Sequence, residues 1–143
     1  MLTGQLALIV AAIFTGAAIY VNVAEHPARM MLDDAALLVQ WKPAYKRGAI
    51  MQASLAIVGF LLGLLAWHQS GQWLWLAGAL FMIAPWPWTI FVILSLNNTL
   101  MALDPARYGV EARPLLEKWN RLHAVRSALG VAATLLFLAA SVG

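Results

Sequence analysis

All fifteen charged residues of this 143-residue chain fall in two windows. Seven lie between Glu25 and Arg47, and eight lie between Asp104 and Arg126. Everything before, between and after them is uncharged and mostly apolar. The middle block, Gly48 to Leu103, is too long to cross a bilayer once, and it is interrupted by the polar cluster His68-Gln69-Ser70-Gly71-Gln72. Four spans result, at residues 4–24, 48–67, 73–96 and 122–142. Each is close to the ~20 residues that cover a hydrocarbon core.

Composition agrees with that reading. Hydrophobic residues make up 63% and charged residues 10% of the chain, against about 45–50% and about 25% in soluble domains. A small chain cannot hide so much apolar surface in one water-facing core. A soluble enzyme, a disordered tail, a coiled coil and a nucleic-acid binder are therefore excluded, despite a net charge of +3. The absence of cysteine excludes disulfides, thiolate nucleophiles and cysteine-ligated metals. The first apolar block lacks a basic leader and is longer than a signal-peptide core, so it reads as a retained helix.

In lipid every backbone polar group needs an internal partner, so the spans are helices. The expected fold is all-α, a single-domain transmembrane four-helix up-down bundle with short amphipathic helices in the charged windows. All nine Lys and Arg residues fall on one side of such a bundle. The positive-inside rule places that side in the cytoplasm and both termini outside, in an inner (cytoplasmic) membrane.

Small residues mark expected contact faces, Ala56, Gly59 and Gly63 in the second span and Ala124, Ala128 and Ala132 in the fourth. Pro85-Trp86-Pro87-Trp88 predicts a kink in the third span, where each proline removes a donor. The kink can serve packing, or open a cavity lined by Trp86 or Trp88. Trp67, Trp73 and Trp75 read as interface anchors. Asp33 can cap a short helix toward Trp41, Pro114 suits a first helical position, and Asp104-Pro105 and Tyr108-Gly109 are turn signals.

The polar residues of the spans collect near the charged boundary. Asn22, Glu25 and His26 share one face at the end of the first span, and Trp119, His123 and Arg126 share one face at the start of the fourth. Gln52 and Asn97 lie at similar depth on the other two. An antiparallel bundle makes these ends converge. Arg126, about a turn inside its span, needs a partner, and Glu25 stands at the matching depth. His26 and His123 admit three readings: interfacial hydrogen-bonders, a general base, or, with Glu25, a metal site. No compact metal motif is present. Lys42, Lys46 and Arg47 read by default as contacts to anionic lipid headgroups.

Three stretches, Asn22-Val23-Ala24-Glu25-His26-Pro27-Ala28-Arg29, Gln40-Trp41-Lys42-Pro43-Ala44-Tyr45-Lys46-Arg47-Gly48 and Trp119-Asn120-Arg121-Leu122-His123-Ala124-Val125-Arg126, resemble the anthrone-oxygenase-like family of small four-helix membrane proteins. The resemblance implies an oxidoreductase that converts anthrones to anthraquinones with dioxygen, and it matches at Asn22, Glu25, His26, Trp119, His123 and Arg126. Such chemistry needs a base, a group that stabilises the developing oxyanion, and an apolar slot. His26 or His123 is the candidate base, with Glu25 in the same polar set. Arg126 or Asn97 would stabilise the oxygen, and Trp86, Trp88 and Trp119 would stack on a flat ring. Asn22 and Gln52 complete the expected substrate site. The scheme requires no metal or flavin. The expected partners are membrane lipid and a hydrophobic small molecule, a flat phenolic or quinone-like substrate met at the cytoplasmic leaflet. Two alternatives stay open: a non-catalytic membrane module that binds lipid or a partner protein, and a metal-dependent enzyme using Glu25, His26 and His123.

Overall fold

A computed structural model describes residues 1–143. The chain is all-helical, with four long helices: α1 (Leu2–Arg29), α2 (Asp34–Ser70), α3 (Trp73–Ala102) and α4 (Pro105–Val142). All four are long and apolar enough to cross a membrane. They run up and down, α1 packing on α2 and α4, α3 packing on α2 and α4, and α2 meeting α4 across the bundle. This is a multi-pass membrane protein.

The expected short amphipathic helices are continuous with the spans. At 37 and 38 residues, α2 and α4 are each roughly 55 Å long at 1.5 Å per residue, far more than a ~30 Å hydrocarbon layer. Their first turns therefore stand beyond it. Asp33 caps α2, its Oδ1 accepting from Ala36 N at 2.8 Å, and Asp104 caps α4 in the same way from Ala106 N at 3.0 Å. Pro114 does not begin α4 as expected. That helix starts at Pro105, bends where Tyr108 leaves helical geometry (φ −127°, ψ 20°), and carries Pro114 inside it. Pro43 is likewise internal to α2. Each proline deprives the carbonyl four residues back of its donor, here Val39 and Val110, both well exposed and free to meet water beyond the apolar layer.

Two helices contain a wide π turn, α1 at Val21–Glu25 and α3 at Thr89–Ile93. The first precedes Pro27, whose ring opposes the carbonyl of Val23 inside that turn. In α3 the α-helical run is interrupted at Ala84, just before Pro85, where Ala84 keeps helical dihedrals (φ −56°, ψ −30°).

Two hydrophobic cores stack along the bundle. The one toward the termini is built mainly of alanines around Phe14, Trp75, Met82 and Phe137. The one at the charged end is built of Leu37, Leu38, Trp41, Ile93, Leu100, Ala112, Leu116 and Trp119. Ala56, Gly59 and Gly63 face inward as expected. A β-carbon on Gly63 would stand 2.7 Å from Phe137 Cζ and 2.9 Å from Ala79 Cβ. Two expectations fail here. On α4 the exposed face includes Ala124 and Ala128, while His123, Ser127, Gly130, Ala133 and Phe137 point inward. Trp75 is no interface anchor: it is buried, its ring 5.6 Å from that of Phe137, and Gly4 leaves room for it, since a β-carbon there would lie 2.5 Å from the indole. Trp67 and Trp73 are exposed.

Candidate functional site

Between the two cores lies a cleft with about 470 Å³ of empty volume, lined from all four helices. Glu25 and Arg29 come from α1, Tyr45 and Gln52 from α2, Asn97 from α3, and Trp119, His123 and Arg126 from α4. The π turns place Val21, Glu25 and Ile93 on its wall. Gln52, Asn97 and His123 are buried. Buried polar groups need partners, and most of these have them.

His123 is held by Asn22. The Asn22 amide nitrogen donates to Asn120 O at 2.9 Å and to Asn120 Oδ1 at 2.7 Å. Its Oδ1 accepts from Ser127 Oγ at 2.6 Å and faces His123 Nδ1 at 3.2 Å. With the amide fixed this way round, only a protonated Nδ1 makes a hydrogen bond to Oδ1. In the neutral ring Nε2 is then the basic nitrogen, and the side chain lines the cleft. The Trp119 ring lies 5.1 Å from the imidazole, and its Nε1–H donates to Asn97 Oδ1 at 2.8 Å. That contact fixes the Asn97 amide and leaves its NH₂ as a donor. Trp119 is in turn set edge-on against Trp41 at 5.7 Å, and Trp41 stacks on Tyr45 at 4.8 Å.

Arg126 does not pair with Glu25. One of its terminal nitrogens donates to Gln52 Oε1 at 3.1 Å. Glu25 is taken by Arg29, one turn away on its own helix, at 2.6 Å. Gln40 completes this group, accepting from Arg29 Nε and donating to Glu25 Oε1 at 3.4 Å. The reason is geometric: an i, i+4 partner is in place as soon as the helix forms, whereas a bond to Arg126 would have to reach across the bundle. The cleft thus holds two guanidiniums against one carboxylate. Arg29 Nη1 and Arg126 Nε are buried there without any partner. Unpaired buried charged donors are costly, and both residues line the cleft.

The expected face of Asn22, Glu25 and His26 divides into two. Val21, Glu25 and Arg29, four apart, line the cleft. Asn22 and His26, the adjacent row, turn away from it, and the partners of Asn22 are on α4. His26 is buried, its Nδ1 without a partner, but it is not part of the cleft wall. Glu25, His26 and His123 accordingly do not form a cluster able to hold a metal ion. Trp88 is not on the wall of the cleft: its Nε1–H donates to Leu122 O at 3.0 Å and ties α3 to α4. Trp86 lines a separate hollow. Lys42 is not simply a headgroup contact, because its ammonium donates to Leu103 O at 2.5 Å at the end of α3, where a cation suits the helix dipole.

Arg29, Tyr45, Gln40, Asn120 and Ser127 were missed as site residues. Spacing could have found Arg29, four residues after Glu25, and Ser127, four after His123. Tyr45 stands seven residues before Gln52, two turns along the same helix face. Gln40 and Asn120 become visible only through their tertiary contacts.

The fold and the cleft define a class: a four-helix membrane protein with a cationic, histidine-bearing cleft at the boundary between an alanine-rich core and a charged end. Residues 41–136 match the anthrone oxygenase family. The chain is also 30% identical over 118 residues to an anthrone oxygenase of Claviceps purpurea (strain 20.1), with 73% of this chain and 67% of the relative covered. It belongs to the anthrone oxygenase family. The matched region carries Gln52, Asn97, Trp119, His123 and Arg126 and leaves out α1. No solved structure matches the chain.

Proposed function

We propose that this protein oxidises the methylene carbon of an anthrone-like polycyclic phenol to a carbonyl with dioxygen. The observation that carries the reading is the pairing, in one cleft, of a histidine whose Nδ1 faces Asn22 Oδ1 with buried guanidinium nitrogens that have no partner.

An anthrone methylene is acidic because its carbanion is delocalised onto the ring carbonyl. His123 Nε2 takes the proton, and Arg126, aided by the Asn97 amide, stabilises the charge that appears on oxygen. The anion is electron-rich enough to give electrons to dioxygen. A carbon–oxygen bond forms and yields a hydroperoxide, with His123 returning the proton. Loss of the second carbon-bound hydrogen and cleavage of the O–O bond then release water. One oxygen atom ends in the new carbonyl and the other in water; the carbon is oxidised and dioxygen is reduced. Trp119 offers a flat face beside the base. Glu25 and Gln40 hold Arg29 in place and are positioning residues. His26 and Trp88 have no part in this scheme.

The test is oxygen consumption with an anthrone by the purified protein in nanodiscs, corrected for spontaneous oxidation in empty discs. Quinone formation matched to oxygen consumed supports the reading. Rates equal to those of empty discs across several anthrones reject it.

The excess of lysine and arginine supports placing the charged end on the cytoplasmic side, with the substrate met at that leaflet and the termini outside. Because the chain has no native cysteine, His68→Cys should be labelled in intact cells by an impermeant maleimide and Arg47→Cys should not. The reverse pattern inverts the topology.

A further inference from the structure

On the far side of Arg126 the cleft has a neighbour. A second hollow of about 450 Å³ lies in the seam between α2 and α3, and Ala49 and Arg126 line both hollows. The sequence makes this space directly. Ala49 and Ala53 leave α2 without bulk, opposite Pro85, Trp86, Thr89 and Ile90 of α3. Trp86 spans the seam, its Nε1–H donating to Ala53 O at 3.3 Å, while its ring remains 37% exposed. Neighbouring Ile57 and Ile90 are exposed apolar residues, so in a bilayer this seam opens toward acyl chains.

Two buried polar atoms on the lining have no partner, Thr89 Oγ1 and Arg126 Nε. A saturated lipid chain could fill the hollow but would leave both unsatisfied. A planar ring system with a carbonyl or phenolic oxygen would bring an acceptor to the side of the hollow that Thr89 and Arg126 line and would lay its hydrocarbon face on Trp86.

We propose that the α2–α3 seam is a lipid-side access slot that binds a planar polycyclic phenol or quinone and passes it, oxygen first, along Arg126 into the cleft. The choice of ligand rests on the oxygenase reading; the existence of the slot does not. A substrate of this kind partitions into the membrane, so an opening there meets it where it is concentrated.

The test is retention of tritiated unsubstituted anthraquinone, which lacks the reactive methylene, by the full chain in phosphatidylcholine nanodiscs relative to empty discs. Oxygen uptake with anthrone is measured on the same samples. Ala53→Trp fills the slot and is expected to weaken binding about tenfold or more, and Trp86→Ala, which removes the stacking face, by about tenfold. Ile57→Trp, one turn along α2 and outside the slot, should bind within about twofold of wild type. Should Ala53→Trp fail to fold, Trp86→Ala decides. Binding unchanged in the slot variants overturns the proposal while leaving the oxygenase reading standing. Wild-type retention no greater than that of empty discs also overturns it. Loss of binding in the slot variants, with no oxygen consumed by wild type, upholds the slot and removes the oxygenase reading.

Discussion

The two ends of this bundle are held together by opposite means. Toward the termini, alanine and glycine bring the helices close, and a few large rings fill what is left: Phe137 sits against Gly63 and Gly78, and Phe14 against Gly130. Thr15 and Thr134 share a hydrogen bond at 2.9 Å there. At the charged end the core is made of leucine and tryptophan, and long cationic side chains brace its edges. Arg113 donates to Asp34 at 2.7 Å and to the carbonyls of Met30 and Leu32 at 2.9 Å each. The difference follows from the solvent. Among acyl chains burial of apolar groups gives no driving force, so close packing must hold the helices. Beyond the hydrocarbon layer water restores the hydrophobic effect, and large apolar side chains contribute again. The cleft lies where one regime gives way to the other. Buried polar groups can be held there by neighbours from both cores.

If the cleft carries the chemistry and the cores only hold it, replacing His123 by Ala should reduce anthrone turnover by on the order of 10²–10⁴-fold. Equal turnover by wild type and variant would dissolve the distinction between cleft and core. The next largest effect belongs to the charged-end core. Trp41→Ala should cost about 3–5 kcal/mol, seen as a lower melting temperature, and should also loosen Tyr45 and Trp119 beside the cleft. In the alanine-rich core the damaging change runs from small to large. Gly63→Ala should cost about 1–3 kcal/mol, and a stability equal to wild type would show that Phe137 and Ala79 yield easily. The smallest effect is expected at the outer brace. Arg113→Ala removes two carbonyl contacts and a half-exposed ion pair, worth about 1 kcal/mol. Faster hydrogen exchange should then be confined to the α1–α2 connection and the first turn of α2. Exchange that spread into the membrane-spanning turns would mean the two ends are not held independently.

Much of this was readable from the chain. The confinement of charge to two windows, together with the polar break at residues 68–72, sets the number of spans and their alternation, because a charge inside lipid is costly. The convergence of Gln52, Asn97, Trp119, His123 and Arg126 follows from antiparallel spans of similar length. What could not be read was the rotation of each helix about its axis. An apolar stripe marks the inner face of a soluble helix, but lipid-facing and core-facing sides of a membrane helix are equally apolar. Hence Ala124 and Ala128 were placed inward when they point out, and Trp75 was placed outward when it is buried. The π turn at Val21–Glu25 added to this at the site itself, where Glu25 and His26 part company. The Glu25–Arg126 pair failed for another reason: charge and depth are visible in sequence, but so was Arg29, and the local partner prevailed.

In the proposed reaction His123 Nε2 removes a carbon-bound proton and Arg126 stabilises the anion that results. It can be measured without dioxygen. An anthrone deuterated at the methylene is held with the protein in nanodiscs under argon, and loss of deuterium to water is followed by mass spectrometry. Wash-out well above that in empty discs is expected, largely lost in His123→Ala and Arg126→Ala. Wash-out no faster than in empty discs, or as fast in His123→Ala as in wild type, would contradict it.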